Sequence, residues 1–261
     1  MPQPDLTGRN ALVTGAAGQL GRCIVAALRG AGARVVAVDR PGEALDALAG
    51  PGLAGPELAG PGLLALPCDL TDDTATEACI VEAWAAAGPI SILVNAVGRI
   101  HNAPLVNIAA SGEGRRHSVV AWRETIESNL TAVFIPTAHV VDRMAATRTR
   151  GVVVSLSSIA AAGNAGQGAY SAAKAGVNAM TQAWAKELGL LGIRFVAIAP
   201  GFIDTPSTHA ALSDPVVKEW VRRTPLRKLG QAQDVADAVL FAIGNAHLTG
   251  KLLEIDGGLT L

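Results

Sequence analysis

The chain has 261 residues, of which 50% are hydrophobic and 16% are charged, and its formal net charge is −1. A chain of this size can bury one large core, and a charge near zero argues against a nucleic-acid-binding or membrane-attracting surface. Three scattered cysteines and a polar start without a long apolar run predict a cytoplasmic protein with no metal site and no membrane span.

The sequence opens with the pattern of a strand, a glycine-rich turn and a helix. Residues 11–13 are apolar, the turn over 14–21 reads TGAAGQLG, and a second strand, VVAVD, ends at Asp39. In such a unit the turn presents backbone N–H groups and a helix N-terminus to a pyrophosphate, so it predicts a dinucleotide-binding loop. The loop residues expected to contact the cofactor are Gly15, Gly18, Gln19, Leu20 and Gly21.

The choice between the two nicotinamide cofactors depends on Asp39 and Arg40. A carboxylate at the end of the second strand can accept hydrogen bonds from the adenosine ribose and would repel a 2′-phosphate, so Asp39 favours NAD(H). Arg40 could pair with a 2′-phosphate, and NADP(H) is therefore the alternative. A purely structural alternative is that Asp39 caps a turn while Arg40 points into solvent.

Helices and strands continue to alternate through the next part of the chain. A short helix over Glu43–Ala49 is followed by repeated Pro-Gly and Gly-Pro pairs, which predict a surface loop. A strand over 63–66 precedes Asp69, a helix covers 72–87, and a strand over 90–94 ends in the small residues NAVG. Small residues at the carboxyl end of a strand allow a ligand to approach the backbone.

The stretch 151–176 carries the strongest indication of chemistry. It reads as a buried strand followed by a helix with Tyr170 and Lys174, whose spacing of four places both side chains on one helical face. A nearby ammonium lowers the pKa of a tyrosine, which could then act as a general acid or base on an alcohol or ketone. Ser157 and Ser158, at the end of the strand, could bind the oxygen that gains or loses the proton.

The chain on both sides of this stretch keeps the same alternation. A long helix over 122–144 contains Asn129, and Pro136 predicts a bend in it. A strand over 194–199 leads to a polar, proline-punctuated segment, 204–223, of the kind that forms a lid. A further helix and a last strand follow.

This alternation predicts an α/β fold of the Rossmann-type, doubly wound class. We expect one domain, residues 1–261, with a mostly parallel, seven-stranded sheet and helices on both faces. Ligands of such sheets bind along the carboxyl ends of the strands, where the glycine loop, NAVG, the two serines and the segment after 199 would all lie.

Taken together, these motifs resemble the classical short-chain dehydrogenases/reductases, and especially their 3-oxoacyl-(acyl-carrier-protein) reductase subgroup. The resemblance runs from about residue 7 to the C-terminus. It rests on TGAAGQLG, NAVG, YSAAK and PGFIDTP in this order, of which YSAAK with its ordered partners is the most specific.

The resemblance implies roles for the residues of the catalytic helix and its neighbours. Tyr170 would give the proton to the substrate oxygen or take it up. Lys174 would lower the pKa of Tyr170 and bind the nicotinamide ribose. A serine would orient the carbonyl, and Asn129 would hold a water that links Lys174 to solvent.

The resemblance also implies further cofactor contacts. Asp69 would accept a hydrogen bond from the adenine, Asn95 would steady the central sheet beside the cofactor, and other residues would line the cleft and hold the nicotinamide. These other residues are Leu70, Ala96, Gly98, Pro200, Gly201, Ile203 and Thr205.

The chain departs from the family pattern at three places. Gln19 stands where the glycine loop usually has glycine, and NAVG replaces Asn-Asn-Ala-Gly. The loop 107–121 is longer than is usual in the subgroup, and two explanations stay open: it shapes substrate specificity, or it is an exposed insertion.

The choice between the two serines is a question of register. Counting back from Tyr170 with the usual family spacing selects Ser157, whereas matching GVVVSLSS to the family strand selects Ser158. Adjacent strand residues face opposite sides, so only one serine can face the substrate. A deletion in the loop 159–163 is easier to accommodate than a slip of a central strand, which favours Ser158.

The predicted function is reversible hydride transfer between a nicotinamide and a secondary alcohol or ketone, most closely that of a 3-oxoacyl ketoreductase. One alternative is an NAD-dependent dehydrogenase of a hydroxyacyl thioester, a sugar alcohol or a cyclic alcohol; the other is a non-catalytic dinucleotide-binding scaffold. The expected partner is a small or thioester-bound substrate.

The resemblance also suggests a homotetramer, to which alanine-rich helix faces would contribute through Ala172, Ala173, Ala179 and Ala183.

Overall fold

The computed structural model describes residues 4–49, 62–211 and 213–261. The surface loop that the Pro-Gly pairs predict after Glu43–Ala49 falls mainly on residues outside these ranges. The helix over Glu43–Ala49 is present as predicted. Within the described ranges, no helix combines the length and the hydrophobicity that a membrane crossing requires.

The described residues form one seven-stranded sheet in which every pair of neighbouring strands is parallel. The strand order is β3-β2-β1-β4-β5-β6-β7, with the crossover between β3 and β4 that defines a doubly wound sheet. The predicted Rossmann-type fold is therefore confirmed. The strands are β1 (Asn10–Thr14), β2 (Arg34–Asp39), β3 (Leu63–Pro67), β4 (Ile90–Asn95), β5 (Gly151–Leu156), β6 (Ile193–Pro200) and β7 (Lys251–Ile255).

Helices connect the strands and cover both faces of the sheet. They are α1 (Gln19–Gly30), α2 (Glu43–Ala49), α3 (Asp73–Ala87), α4 (Val119–Ile126), α5 (Ala132–Ala146), α6 (Gly168–Leu188), α7 (Pro206–Ala211), α8 (Asp214–Arg223) and α9 (Ala232–Gly244). Two apolar clusters fill the space between the helices and the sheet. Residues of α1, α2 and α9 belong to one cluster, and residues of α3, α5 and α6 belong to the other.

The central strands are buried on both faces, as their continuous apolar sequences predict. Side chains alternate between the two clusters along one strand: Val13 of β1 lies in the first and Leu12 in the second. In β5, Val152 and Val154 pack on one face and Val153 packs on the other, and each is at most 1% exposed. This two-sided burial fixes the register of the strands, and with it the positions of the residues at their carboxyl ends.

The long helix predicted over 122–144 differs from the observed one in an important detail. Helix starts at Val119 and reaches Ala146, but a π-helical turn, Glu127–Thr131, separates α4 from α5. The break thus precedes Pro136, which lies inside α5. Single π turns insert one residue into an α-helix and are frequent at functional sites.

Candidate active site

The glycine loop between β1 and α1 has a conformation that only glycine fits at two positions. Gly15 has a φ of +65°, and a Cβ there would lie 2.6 Å from the Val97 nitrogen at the end of β4. At Gly21, a Cβ would collide with the Gly15 carbonyl oxygen. The loop backbone is therefore closely packed between α1 and the carboxyl ends of β1 and β4, with the N-terminus of α1 directed at the same edge of the sheet.

The predicted loop contacts do not all face the same way. Gly15 and Gly18 line a cleft at this edge, and Gln19 is exposed at the first residue of α1. Leu20 instead packs against the apolar core, and Gly21 packs against Gly15. The Leu20 side chain is thus a packing residue, so that any contact of Leu20 or Gly21 with a cofactor would be made through the backbone.

Asp39 connects the end of β2 to the glycine loop. Its carboxylate accepts hydrogen bonds from the Ala17 nitrogen at 2.9 Å and from the Arg40 nitrogen at 2.8 Å. Both Asp39 and Arg40 line the cleft, and Arg40 is exposed. The predicted turn-capping role and the predicted position in a ribose site are therefore both compatible with this geometry.

Asp69 lies beside these residues, after β3. Thr71 donates two hydrogen bonds to it, from its hydroxyl at 2.7 Å and its nitrogen at 3.0 Å, and these bonds lower the pKa of the Asp69 carboxyl. The positive charge of Arg40 lowers this pKa further. Asp69 and the buried Leu70 both line the cleft, at the place where the sequence predicts the adenine.

The cleft has a volume of about 1070 Å³, which is large enough for a dinucleotide. Its closely packed glycines, the helix N-terminus at its wall and its two carboxylates fit a nicotinamide dinucleotide with its phosphates at the loop. Its lining includes the predicted residues Gly15, Gly18, Asp39, Arg40, Asp69, Leu70, Ala96 and Gly98.

Tyr170 lies near the start of α6 and is 9% exposed. The Ser158 hydroxyl is close enough to the phenol to lower the pKa of Tyr170. Ser158 directly follows β5, and its hydroxyl accepts a hydrogen bond from the Ala160 nitrogen at 3.1 Å. The neighbouring Ser157 points the other way: its hydroxyl is buried and donates to the Lys174 carbonyl oxygen at 3.2 Å. The geometry thus agrees with the strand register that favours Ser158.

The predicted lowering of the Tyr170 pKa is wrong for this structure. Burial raises the pKa of the phenol, and the hydrogen bond from Ser158 offsets only part of this effect. The Lys174 Nζ lies 5.8 Å from the centroid of the Tyr170 ring and donates instead to the Leu156 carbonyl oxygen at 2.9 Å. Spacing along the helix placed the two side chains on one face, but it could not show how deeply that face is buried.

Lys174 is itself almost inaccessible, with 3% of its surface exposed. Burial disfavours the ammonium form and lowers the pKa of Lys174 to about 8. At neutral pH the side chain therefore still carries its charge, whereas the Tyr170 phenol keeps its proton.

The π turn places Asn129 next to this lysine. The Asn129 amide donates to the Arg99 carbonyl oxygen at 2.9 Å, and its Oδ1 accepts from the Arg99 nitrogen at 3.0 Å. Gly98 lies between Asn129 and Lys174: a Cβ there would be 2.8 Å from Asn129 Oδ1 and 3.0 Å from Lys174 Nζ. Asn129 and Lys174 thus pack against Gly98, which lines the cleft, and the predicted water-holding role of Asn129 stays a prediction.

Asn95 does not reach the cleft. It is fully buried and donates to Thr137 Oγ1 at 2.9 Å and to Ser155 Oγ at 3.2 Å, while its Oδ1 accepts from Thr14 Oγ1 at 3.3 Å. These bonds connect the ends of β1, β4 and β5 to α5. Asn95 is therefore placed where the expected sheet-steadying role requires it, and its side chain lies beneath the site without lining the cleft.

The segment after β6 lies at the same edge of the sheet. The Gly201 nitrogen donates to the Ile255 carbonyl oxygen at 2.9 Å, directly after Pro200. Ile203 and Thr205 are each 6% exposed, and Ile203 belongs to the core. The predicted contacts of these four residues with a nicotinamide stay predictions.

Several residues that line the cleft were not predicted as catalytic or cofactor-binding residues. His101 lies in the loop after β4, and a set of polar residues lies on α4 and in the π turn. The polar set lies within about two helical turns of Asn129, which is the signal that could have identified it. It comprises Arg123, Glu124, Glu127 and Ser128.

Comparisons with known proteins agree with this geometry. A family model described as "short chain dehydrogenase" matches residues 9–215. The chain is 34% identical to the 3-oxoacyl-[acyl-carrier-protein] reductase FabG of Thermotoga maritima, over 98% of this chain and 99% of that protein.

Two further relatives are similar over nearly their whole length. The human (3R)-3-hydroxyacyl-CoA dehydrogenase is 33% identical over 98% of this chain and 97% of its own. The FabG reductase of Escherichia coli K12 is 31% identical over 98% of both chains. The chain therefore belongs to the short-chain dehydrogenase family, and it is an oxidoreductase that acts on alcohol and carbonyl groups with a nicotinamide cofactor.

Proposed function

We propose that the protein is an NAD(H)-dependent 3-oxoacyl ketoreductase, which reduces the carbonyl at C3 of an acyl thioester to a hydroxyl. The observation that carries this proposal is the proximity of Ser158 and Tyr170, with Lys174 one turn further along α6, at the carboxyl edge of the sheet. The relatives named for 3-oxoacyl reduction and 3-hydroxyacyl oxidation support the substrate class.

The residues of the chain would supply positioning and a proton. A bound nicotinamide cofactor supplies the hydride. Ser158 would donate a hydrogen bond to the substrate carbonyl oxygen and stabilise the charge that develops on it. Tyr170 would transfer its phenolic proton to the same oxygen, and the raised pKa of Tyr170 keeps that proton in place at neutral pH.

Lys174 would hold the nicotinamide ribose and provide a positive charge near the phenol. Its Nζ lies directly behind Gly98, which lines the cleft. Asn129 would hold a water that passes protons from solvent to Lys174. We further propose that the segment 204–223, which contains α7 and α8, is a lid over the substrate, and that the protein works in the cytoplasm.

The reverse reaction is the second candidate, because one relative is named as a 3-hydroxyacyl-CoA dehydrogenase. Oxidation of a hydroxyl requires Tyr170 to accept a proton. The raised pKa of Tyr170 means that the phenol is the form present at neutral pH, so oxidation would require the phenol to lose its proton first.

Substitution of Tyr170 tests the assignment of the proton donor. Tyr170→Phe keeps the buried ring and removes the proton, so we expect kcat for reduction of acetoacetyl-CoA to fall about 10³-fold. NADH affinity, measured by fluorescence titration, should change less than about threefold. Turnover close to that of the wild type would contradict the assignment.

The two adjacent serines provide a matched pair of controls for the same assay. Ser158→Ala removes the hydroxyl that contacts Tyr170, and kcat should fall about 100-fold. Ser157→Ala removes a hydroxyl that donates to the Lys174 carbonyl, and kcat should stay within about threefold. A larger loss of kcat in Ser157→Ala than in Ser158→Ala would mean that the strand register that selects Ser157 is correct.

NAD(H) is proposed as the cofactor because two carboxylates and one guanidinium meet at the adenosine end. Asp39 and Asp69 both line this part of the cleft, and the charge of Arg40 already acts on Asp69. A 2′-phosphate there would face net negative charge and would have to compete with Asp69 for the guanidinium.

Cofactor preference can be tested by removal of one charge. We expect kcat/KM to be at least about tenfold higher with NADH than with NADPH, and Asp39→Asn should reduce this ratio severalfold. Asparagine retains an oxygen that can accept from the Ala17 nitrogen, so the loop should keep its shape. Asp46→Asn, an exposed carboxylate on α2, is the control, and a wild-type preference for NADPH would refute the proposal.

A further inference from the structure

His101 and His117 form a pair of imidazoles within the long loop that precedes α4. Their ring centroids are 5.5 Å apart, and the rings meet edge to face at 85°. The Nε2 atom of each ring is covered by surrounding atoms and has no hydrogen-bond partner within the described part of the chain. A buried polar atom without a partner is costly, so two of them on neighbouring rings require an explanation.

The loop that carries this histidine pair is held against the start of the catalytic helix. The Ala103 nitrogen donates to the Gly166 carbonyl oxygen at 2.7 Å, and Gln167 donates to the Asn102 side-chain oxygen at 2.7 Å. Gly166 and Gln167 immediately precede α6, on which Tyr170 is the third residue. The two residues that follow His101 in the sequence are therefore hydrogen-bonded to the residues that directly precede the helix of Tyr170.

The two histidines have different surroundings. His101 lines the cleft, whereas His117 Nδ1 lies 3.3 Å from the Ala103 carbonyl oxygen and its backbone nitrogen donates to the Leu105 carbonyl oxygen at 2.9 Å. His117 is thus oriented by the loop itself, and its ring supports that of His101. Because the terminal torsion of a histidine is broad, rotation of the His101 ring can bring an N–H to the cleft without a change in the backbone.

We propose that His101 is a specificity-determining residue, whose imidazole N–H binds the thioester carbonyl oxygen of the substrate, and that His117 is a positioning residue for it. A 3-oxoacyl thioester carries this second oxygen at a fixed spacing from the carbonyl that is reduced. The His101 ring thereby gains a hydrogen-bonding partner that the described part of the protein does not supply. This inference rests on the proposed ketoreductase function and adds the group by which the substrate is recognised.

The test compares two substrates that differ only in the second oxygen. One is acetoacetyl-CoA, and the other is its thioether analogue, in which a methylene replaces the thioester carbonyl. His101→Leu should lower kcat/KM for acetoacetyl-CoA about 10- to 100-fold, mainly through KM, and should change that for the thioether less than about threefold. His101→Gln, which can donate from a similar position, should recover most of the loss.

Two further variants separate positioning from general damage. His117→Phe keeps a ring against His101 and should retain the preference for the thioester within about threefold, whereas His117→Ala should lose it. His247→Leu, an exposed histidine after α9, is the matched control and should leave both substrates unaffected. Equal losses for both substrates in His101→Leu, or no loss for either, would overturn the proposal.

A failure of the ketoreductase function would be visible separately. If the wild type reduced neither compound, the proposed function would fail, and calorimetric titration of acetoacetyl-CoA would then decide the role of His101. Binding that is weakened at least about tenfold in His101→Leu and recovered in His101→Gln would support His101 as the residue that binds the thioester oxygen. Equal binding to the wild type and to both variants would overturn it.

Discussion

Burial determines the protonation of the two central side chains more than their proximity does. Tyr170 and Lys174 lie on one face of α6, but both are nearly inaccessible, so burial raises the pKa of the phenol and lowers the pKa of the ammonium. A phenol that keeps its proton suits the reduction of a ketone. The lysine, with a pKa lowered to about 8, still carries at neutral pH the positive charge that favours formation of a phenolate.

The lowered pKa of Lys174 has a consequence for stability. The folded-state pKa is about 8 and the ordinary value is 10.5, so between these values the unfolded chain binds a proton that the folded chain lacks. Stability from this group therefore rises as the pH increases through that window, and below pH 8 the folded protein bears the cost of a buried ammonium.

Lys174→Met isolates this contribution, since methionine has a similar length and does not titrate. The free energy of unfolding of the variant, minus that of the wild type, should decrease by about 2–3 kcal/mol between pH 7 and pH 10. Urea unfolding of both proteins at several pH values measures this difference. The cysteines and Tyr170 are present in both proteins, so their titration cancels in this difference. A difference that does not vary with pH would contradict the assignment.

At the scale of single residues, sequence reasoning identified the chemical groups but not their surroundings. The spacing of Tyr170 and Lys174 and the register of Ser158 could be inferred because helical and strand periodicity determine which side chains share a face. The hydrogen bond from Lys174 to the Leu156 carbonyl could not be inferred from the sequence, because it depends on how close β5 and α6 approach each other. The burial of Asn95 among three hydroxyls could not be inferred either, because it depends on the packing of strands and helices that are far apart in the sequence.

At the scale of elements, the interrupted helix from Val119 to Ala146 is the most instructive case. A π turn has no hydrophobic period of its own, so the pattern over 122–144 predicts an unbroken helix with a bend at Pro136. In the structure the break lies about two turns earlier, at Asn129, whose amide pairs with the backbone of Arg99. The tertiary contact with the loop after β4 thus specifies an element that local sequence does not.

The loop between β4 and α4 shows a similar limit. Its length and polarity predict an irregular segment near the substrate, and they leave open whether it has a role. Its contacts resolve the geometry: an antiparallel bridge joins Val106 to Arg116, and the Ala103 nitrogen bonds to Gly166. These are contacts between residues far apart in sequence, so no local pattern could reveal that His101 faces the cleft.

At the scale of the whole molecule, the fold was the most predictable property. Each strand and helix has its own periodicity, and the alternation of strands with helices restricts the chain to parallel, right-handed crossovers. The doubly wound order then places the loops after β1 and β4 side by side, whatever their detailed conformations. The site edge could therefore be located from the sequence, whereas the volume and depth of the cleft could not.

A quaternary structure is also expected at this scale, since the exposed face of α6 is rich in small residues. Ala172, Ala179 and Ala183 are exposed there, whereas Ala173 is fully buried, so its predicted place in an interface is corrected. Phe134 of α5, 48% exposed, lies beside this face through its contact with Trp184. A large exposed apolar side chain next to a smooth, alanine-lined helix is typical of a surface that a second subunit covers.

We therefore expect the wild type to sediment as a tetramer of identical chains, with α6 at one of its interfaces. Ala179→Glu would place a charge at the centre of the alanine face, where burial against a second subunit would leave it unpaired, so the variant should dissociate to dimers or monomers at micromolar concentration. Sedimentation velocity measures this directly. Ala86→Glu introduces the same charge on an exposed position of α3 and should remain tetrameric. Because Ala179 is exposed, both variants should melt as folded proteins, and a tetramer that tolerates Ala179→Glu would mean that this helix face is not an interface.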